Sequence, residues 1–388
     1  MPSKPLLIVI LGSMVAIGPL SIDMYLPGLP EITRSLHAED AAVQLTLTAV
    51  VAGLALGQLI AGPLSDRIGR RRPLMVGLLS YSAASLLCAL APTVLALTGL
   101  RFLQGLTGGA GIVIGRAVVR DLYSGVAAAK LFSSLMLVTG LAPILAPVIG
   151  AQVLRFTAWQ GIFVVLAGLS LAIVTLATVA LPETLPPERR DRGGLAGTLQ
   201  TMRSLLTQRS FLGYALTAAL AFGALFAYIS GSPFVFQDIY GLSPQAFSLA
   251  FGVNGLGLVA GSQINARLVG RYGPAYLLRR ALLVIATAAA ALLAVVLIGG
   301  LGVWPVIITT FLVMSSLSFV MPNSTALALA DHAKVAGTAS ALLGVIQFLV
   351  GGLAAPLVGL GGTGTAVPMA VVMLSLAAGA VVVNRWLS

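Results

Sequence analysis

Charge is what this chain has least of. Only 9% of its 388 residues are Asp, Glu, Lys or Arg, where a soluble domain carries about 25%. An ordinary water-soluble fold is thereby excluded. Lysine is nearly absent: Lys4, Lys130 and Lys334 are all there are, and none follows a glycine. The chain therefore lacks a phosphate loop of the G-x-x-x-x-G-K-[ST] type, which excludes an ATP-driven pump. The one cysteine, Cys88, allows no disulfide within the chain and no metal cluster. The two histidines, His37 and His332, fall in separate loops and read as solvated residues rather than ligands. No carboxylate pair, no histidine within an apolar run and no zinc motif is available for catalysis. The chain is expected not to be an enzyme.

What is present is hydrophobic: 58% of the residues. Twelve apolar runs stand out, at Leu6–Leu26, Val43–Pro63, Pro73–Ala91, Val94–Val118, Leu131–Leu154, Gly161–Leu181, Phe211–Ser230, Ala246–Ile264, Leu278–Gly299, Val303–Ala326, Gly337–Leu357 and Thr365–Val383. Each is of a length that crosses a hydrocarbon core of about 30 Å as a helix. None shows the ~10-residue alternating pattern of a membrane barrel strand. The first run follows Lys4 as in a signal peptide. No small-residue cleavage site follows it and eleven further runs do, so it is expected to be retained.

Lysine and arginine set the orientation. With the N-terminus inside, eighteen of them fall on the cytoplasmic side, and only Arg34 and Arg155 on the other. The net charge of +11 is thus an orientation signal, not a sign of nucleic-acid binding. Both termini are expected in the cytoplasm. The longest hydrophilic stretch, Pro182–Gln208, divides the chain into an N-terminal six-helix bundle (1–181), a cytoplasmic linker (182–208) and a C-terminal six-helix bundle (209–388).

Between the second and third runs lies Gly62-Pro-Leu-Ser-Asp66-Arg67-Ile-Gly69-Arg70-Arg71-Arg72. So many charges cannot sit in hydrocarbon, so this turn lies at a membrane face. One acid among four arginines allows an ion-pair network. The pattern G-x-x-x-D-R-x-G-R-R resembles the loop between helices 2 and 3 of the major facilitator superfamily of secondary transporters. The fold class that follows is all-α integral membrane, the major facilitator fold, with twelve transmembrane helices in two halves and substrate held near the midplane. A fainter echo stands in the second half, where Gly261-x-x-x-Asn265 precedes Arg267 and Arg271. On this register Asn265 replaces Asp66, and the second copy has lost its acid.

Three charged residues fall well inside the runs: Asp23, Arg101 and Arg116. Each costs about 2.5–3.5 kcal/mol at a helix centre on insertion scales, so each calls for a partner or a task. The topology places Asp23 and Arg101 at similar depth in the outer half, where they can pair, and opening the pair would let Asp23 take a proton. A static salt bridge is the plainer reading. Arg116, near the inner end of its run, is expected to snorkel to the cytoplasm. Gly105, Gly108, Gly109, Gly111 and Gly115 give the fourth run a thin face for close packing. Gly140, Pro143, Pro147 and Gly150 are expected to bend the fifth. Tyr25, Gln104, Tyr228, Asn254, Asn323 and Gln347 are polar groups able to bond either a ligand or a neighbouring helix.

The string Ser21-Ile-Asp23-Met-Tyr25-Leu-Pro27-Gly-Leu-Pro30 resembles the end of helix 1 in the bicyclomycin/chloramphenicol resistance (Bcr/CflA) family of drug:proton antiporters. Arg101-Phe-Leu-Gln104-Gly105, Arg116-Ala-Val-Val-Arg120-Asp121-Leu-Tyr123 and Gly140-x-x-Pro143-x-x-x-Pro147-x-x-Gly150 are similar to further strings of that family, although Ala146 stands where many members have Gly. Ser230-Gly-Ser-Pro233, Pro322-Asn323 and Ala336–Gly344 extend the likeness to nearly the whole chain. The resemblance implies proton-driven export of small drug-like molecules of the bicyclomycin, chloramphenicol or sulfonamide type. It makes Asp23 the proton-linked acid with Arg101 its partner. It gives Asp66, Arg70 and Asp121, with Gly62, Arg67, Gly69 and Arg71, the role of a charge relay that holds the outward-open state. No second acid stands inside the first run, which argues against a two-carboxylate mechanism and against export of dications.

The expected cofactor is none, the proton gradient being the drive. One charge crossing 100 mV is worth about 2.3 kcal/mol, and one pH unit adds about 1.4 kcal/mol. The expected partners are a small-molecule drug or metabolite, protons and the lipid bilayer, with no nucleic acid, and the chain is expected to be a monomer. Arginine and alanine in place of lysine suggest a GC-rich bacterium, hence the inner membrane. Two other readings stay open: a proton-linked exporter of a natural metabolite such as an amino acid, and an uncoupled facilitator.

Overall fold

The computed structural model describes residues 4–123, 125–190, 202–332, 335–362 and 364–387. Residues 191–201, the middle of the expected linker, and Lys334 lie outside the described residues. The described chain is helical, with no strand among the described residues. It forms two compact units, Met1–Gly193 and Gly194–Ser388.

Unit 1 holds α1 (Lys4–Asp23), the short α2 (Leu29–Ser35), α3 (Asp40–Ile68), α4 (Arg71–Ala89), α5 (Val94–Leu122), α6 (Gly125–Val153) and α7 (Gln160–Ala180). Unit 2 holds α8 (Arg209–Phe234), α9 (Pro244–Tyr272), α10 (Pro274–Ile298), α11 (Trp304–Leu329), α12 (Ala336–Leu360) and α13 (Val367–Leu387). Among the described residues, eleven helices, the first counted through α2, are long and apolar enough to cross a membrane, and α6 contributes the apolar stretch Gly140–Val153.

Several helices outrun the apolar stretches that mark them. Both α3 and α9 have 29 residues, about 43 Å at 1.5 Å per residue, more than a core of about 30 Å. The excess carries the polar residues at the ends, which hydropathy alone cuts off. The first span differs most. It does not stop at Leu26: a 3-10 turn at Leu26–Gly28 joins it to α2. Pro27 and Pro30 lack the N–H needed to continue a regular α1.

Local chemistry explains the ends. Thr93 caps α5 by accepting from Ala96 N at 3.2 Å, and Ser243 caps α9 by accepting from Ala246 N at 3.2 Å. Gly69 ends α3 with φ +99°, and Gly273 ends α9 with φ +77°, a conformation glycine adopts without strain. These matched ends correct the repeat register. With α3 and α9 equal in length and capped alike, Gly270 occupies the place of Asp66, and Asn265 does not. The second copy has still lost its acid.

In unit 1, α5 is the central helix. It packs on α1, α3 and α4. A Cβ on Gly53 would lie 2.2 Å from Phe102 O, and one on Gly57 2.0 Å from Leu106 O. From the other side, a Cβ on Gly105 would lie 2.1 Å from Val50 O. Two G-x-x-x-G faces therefore meet backbone on backbone, the closest approach two helices can make. In unit 2, α8 packs on α11, α12 and α13, and α9 lies on α11.

Candidate functional site

The polar centre of unit 1 is built around Arg101. Its side chain has no solvent exposure. Nη1 donates to Gln104 Oε1 at 2.6 Å, and Nη2 donates to the Ser21 carbonyl at 2.8 Å. That carbonyl is among the last of α1, which ends two residues later, so it has no acceptor role left within a continuing helix. The negative end of the α1 dipole thus faces a cation. The guanidinium also lies over the Tyr25 ring at 4.5 Å and the Phe163 ring at 5.5 Å, contacts that favour a desolvated cation.

A connected set of bonds holds this arrangement. Gln104 Nε2 donates to Ser85 Oγ (2.7 Å), and Ser85 Oγ donates to the Tyr81 carbonyl (2.8 Å). Tyr81 and Ser21 share a hydroxyl–hydroxyl bond of 2.6 Å, as Tyr25 and Thr46 share one of 2.9 Å. Thus α1, α3, α4 and α5 are tied together around one charge. Tyr25 and Gln104, read from the sequence as able to bond either a ligand or a neighbouring helix, are fully buried here with their polar groups engaged in this support.

Asp23 is the last residue of α1 and only 5% exposed. The expected ion pair with Arg101 is not formed: among the described residues, the Asp23 carboxylate has no hydrogen bond or ion pair. The reason is geometric. The hydrogen bonds that Arg101 makes go to an amide oxygen and a main-chain carbonyl instead. Gly150 of the fifth-span motif lies against this place, since a Cβ on it would be 2.0 Å from Met24 O. Pro143 and Pro147 stand within α6, and Gly140 is partly buried on the same helix.

The loop after α3 forms the second constellation. Arg70 is 6% exposed. Its Nη1 reaches Asp66 Oδ1 at 2.5 Å, and its Nε reaches Asp121 Oδ2 at 2.9 Å. Nη1 also donates to Ser65 Oγ at 2.8 Å. Burial lowers the Arg70 pKa, but its bonds and charge interactions with Asp121 and Asp66 outweigh that and raise it above the ordinary value. Arg67 is exposed at the surface. Arg71 donates to the Thr178 carbonyl at 2.7 Å. Gly62 supplies its carbonyl to Ser65 Oγ at 2.8 Å. Arg116 is exposed in the last third of α5.

Two members of this network were not legible as such in the sequence. Glu183 Oε1 accepts from Arg70 N (2.8 Å) and Leu185 N (3.0 Å), and Oε2 accepts from Arg71 N (3.1 Å). Burial raises the Glu183 pKa, but these backbone donors and the nearby Arg190 charge hold it below the ordinary carboxylate value. Thr184 Oγ1 donates to Asp121 Oδ2 at 3.0 Å. Gly69 leaves the room required: a Cβ there would meet Glu183 Oε2 at 2.6 Å. The available signal was an acid and a hydroxyl directly after the sixth span, where charge balance alone could not say what they face.

Unit 2 carries neutral polar groups. Asn254 Nδ2 donates to Tyr228 Oη at 2.6 Å and to Thr310 Oγ1 at 3.3 Å. Tyr228 stacks on Phe251, centroids 5.4 Å apart. Asn254 Oδ1 is buried without a partner. Asn323 Nδ2 donates to Asn265 Oδ1 at 2.7 Å. Gln347 lines an open cavity of about 610 Å³ with Ser262, Ser318 and Pro322. The cavity separates the second-unit candidates: Gln347 faces it, whereas Tyr228 and Asn254 are closed into helix contacts.

The helices, long and apolar enough to cross a membrane, and the small-residue packing between them define a multi-pass helical membrane protein. The family model described as Major Facilitator Superfamily matches residues 11–356. The chain is similar to the MFS-type transporter YdgK of Bacillus subtilis, 45% identical and covering 94% of this chain and 90% of that protein. It is similar to a bicyclomycin resistance protein homolog of Haemophilus influenzae, 33% identical and covering 93% and 91%. A bacterial homolog of the human lysosomal transporter Spinster shares the fold, with a TM-score of 0.77 at 15% identity over 99% of this chain and 96% of that one. The chain belongs to the major facilitator superfamily, in its bicyclomycin/chloramphenicol resistance family. It is a transporter and not an enzyme.

Proposed function

We propose that this protein is a proton-coupled antiporter that exports small drug-like molecules of the bicyclomycin, chloramphenicol or sulfonamide type by alternating access. It does so as a monomer in the bacterial inner membrane, with both termini cytoplasmic and no cofactor. The observation that carries this reading is Asp23. It is a nearly buried acid at the end of α1, with neither hydrogen bond nor ion pair among the described residues. Intramembrane acids of this kind serve proton relays. A carboxyl group so placed exchanges its proton when its surroundings change from dry to wet. Arg101, anchored to the Ser21 carbonyl two residues away, couples any movement of the α1 end to α5. The resistance-protein relative supports the substrate class.

The loop network acts in this reading as a catch. Arg70 between Asp66 and Asp121 ties α3 to the end of α5 and holds one state of the cycle until the pair opens.

The test is substrate-induced proton release from purified protein in detergent, comparing parent and Asp23→Asn with bicyclomycin, chloramphenicol and a sulfonamide. Release by the parent that disappears in the variant supports antiport through Asp23. Binding without release by the parent overturns proton coupling at the binding step and leaves a facilitator. Release that persists in Asp23→Asn removes Asp23 from the mechanism.

A further inference from the structure

We infer that unit 2 carries a binding site for the headgroup of an anionic phospholipid, between α10 and the end of α13. A cavity of about 470 Å³ opens there, lined by Arg279, Arg280 and Arg385 together with Tyr276 and Asn384. No hydrogen bond or ion pair engages these three guanidiniums among the described residues. The sequence offers them little chance of one: Asp331 is the only acid after Asp238, against five arginines and Lys334. Three like charges around one hollow repel one another, and an anion placed among them removes that cost.

The site also has a directed polar group. Asn384 is 8% exposed, lines the cavity and has no hydrogen-bond partner among the described residues. Its amide can donate to a phosphate oxygen. The aromatic side is ordered as well. Tyr272 and Tyr276 stack with centroids 5.7 Å apart, and Arg280 lies 5.3 Å from the Tyr276 ring. Stacking holds the Arg280 plane while leaving its N–H edges free to meet an anion.

The lining distinguishes a lipid from a soluble anion. Leu282, Leu283 and Val381 form the apolar wall, and Leu283 is 43% exposed. A phosphodiester carrying acyl chains satisfies cations and apolar wall together, whereas free phosphate leaves the wall bare. Basic pockets between helices at a membrane face are suited to such headgroups.

Native mass spectrometry of the purified full chain with phosphatidylglycerol, phosphatidylcholine of the same acyl chains, and inorganic phosphate tests this. Phosphatidylglycerol is expected to bind at least tenfold more tightly than phosphatidylcholine. Replacing Arg279, Arg280 and Arg385 together by Gln is expected to weaken it on the order of a hundredfold, about fivefold for each single replacement. The triple Lys variant is expected to retain most of the binding, and the single variants serve if the triple Gln variant does not fold. Equal binding of the two lipids, or unchanged binding in the Gln variants, overturns the site. Displacement of phosphatidylglycerol by equimolar inorganic phosphate overturns the lipid assignment in favour of a soluble anion.

Discussion

Helices α3 and α9 are the same element set against different neighbours. Each has 29 residues and ends on a positive-φ glycine. Gly53 and Gly57 fall at the same two positions along α3 as Gly257 and Gly261 along α9. In unit 1 the glycines meet the backbone of α5, at Phe102 O and Leu106 O. In unit 2 they first meet side chains of α11, Ser315 Oγ at 2.3 Å and Ser318 Oγ at 2.2 Å. Backbone cannot step aside, whereas a hydroxyl can rotate. The unit holding the buried charges thus has its helix spacing fixed by main chain. The unit holding neutral amides and hydroxyls has an adjustable contact at Gly257, where the nearest atoms are all side chain, while a Cβ on Gly261 would also lie 2.8 Å from Ser315 O.

The following loops diverge in the same sense. After Gly69 come Arg70 and Arg71, with Asp66 one turn before. After Gly273 come Pro274 and Ala275, with Gly270 one turn before. The caps are alike, but only the first loop has the acid and the arginine for a buried network.

The largest contrast is expected from a matched pair of substitutions. Gly53→Ala drives a Cβ into α5 main chain and should cost about 3 kcal/mol or more, read as a large drop in thermal midpoint in detergent. Gly257→Ala should cost about 1 kcal/mol, because the Ser315 hydroxyl and the Phe311 ring can shift. Equal losses would break the contrast. Next in size, Arg70→Ala leaves the Asp66 and Asp121 carboxylates facing each other without their cation. Transport should fall at least roughly tenfold, as expected for a buried pair stripped of one partner. Arg70→Lys should restore charge without the fork and recover transport in part. A smaller effect is expected from Asn323→Ala, which leaves Asn265 Oδ1 without its donor. About 1–3 kcal/mol of stability should be lost, with no dependence on salt because no ion is involved.

The smallest effect concerns pH. The folded-state pKa of Glu183 lies below its ordinary value. Its bonds to the Arg70, Arg71 and Leu185 amides therefore stabilise the fold above the ordinary carboxylate pKa. That contribution fades as pH falls through the lowered value. Glu183→Gln should be less stable than the parent by about 1 kcal/mol or less at neutral pH, Glu183 being well exposed. The gap should close in acid. A gap that stays constant in thermal melts down to that range would show that the carboxylate charge is not what clasps the loop.

Much of this was readable in advance because it rests on solvent preference. A chain with so few charges and repeated apolar runs has one comfortable solvent, the bilayer, and helices are the way such runs satisfy their backbone there. The Asp66–Arg70 contact was readable too, because a turn so dense in charge must neutralise itself locally; Asp121 as the second partner was implied only by the family resemblance. Partner choice at Arg101 was not readable. Sequence put an acid and a base at like depth, but the end of α1 presents a free carbonyl to the guanidinium, and side-chain direction decides against the ion pair. Nor was the register of the second repeat, since a two-letter match at Gly261 and Asn265 carries less information than the place where a helix ends. The roles of Glu183 and Thr184 also came only from the fold, which returns the chain after α7 to the loop before α4.

By itself, then, the sequence determined the solvent, the places of the apolar spans along the chain, the turn where charge had to be neutralised and the family. The tertiary structure decided which group each charge meets and how closely each helix pair approaches. The physical reason is that transfer from water is a property of composition along the chain, whereas a hydrogen bond or a backbone contact is a property of distance and angle between residues far apart in it.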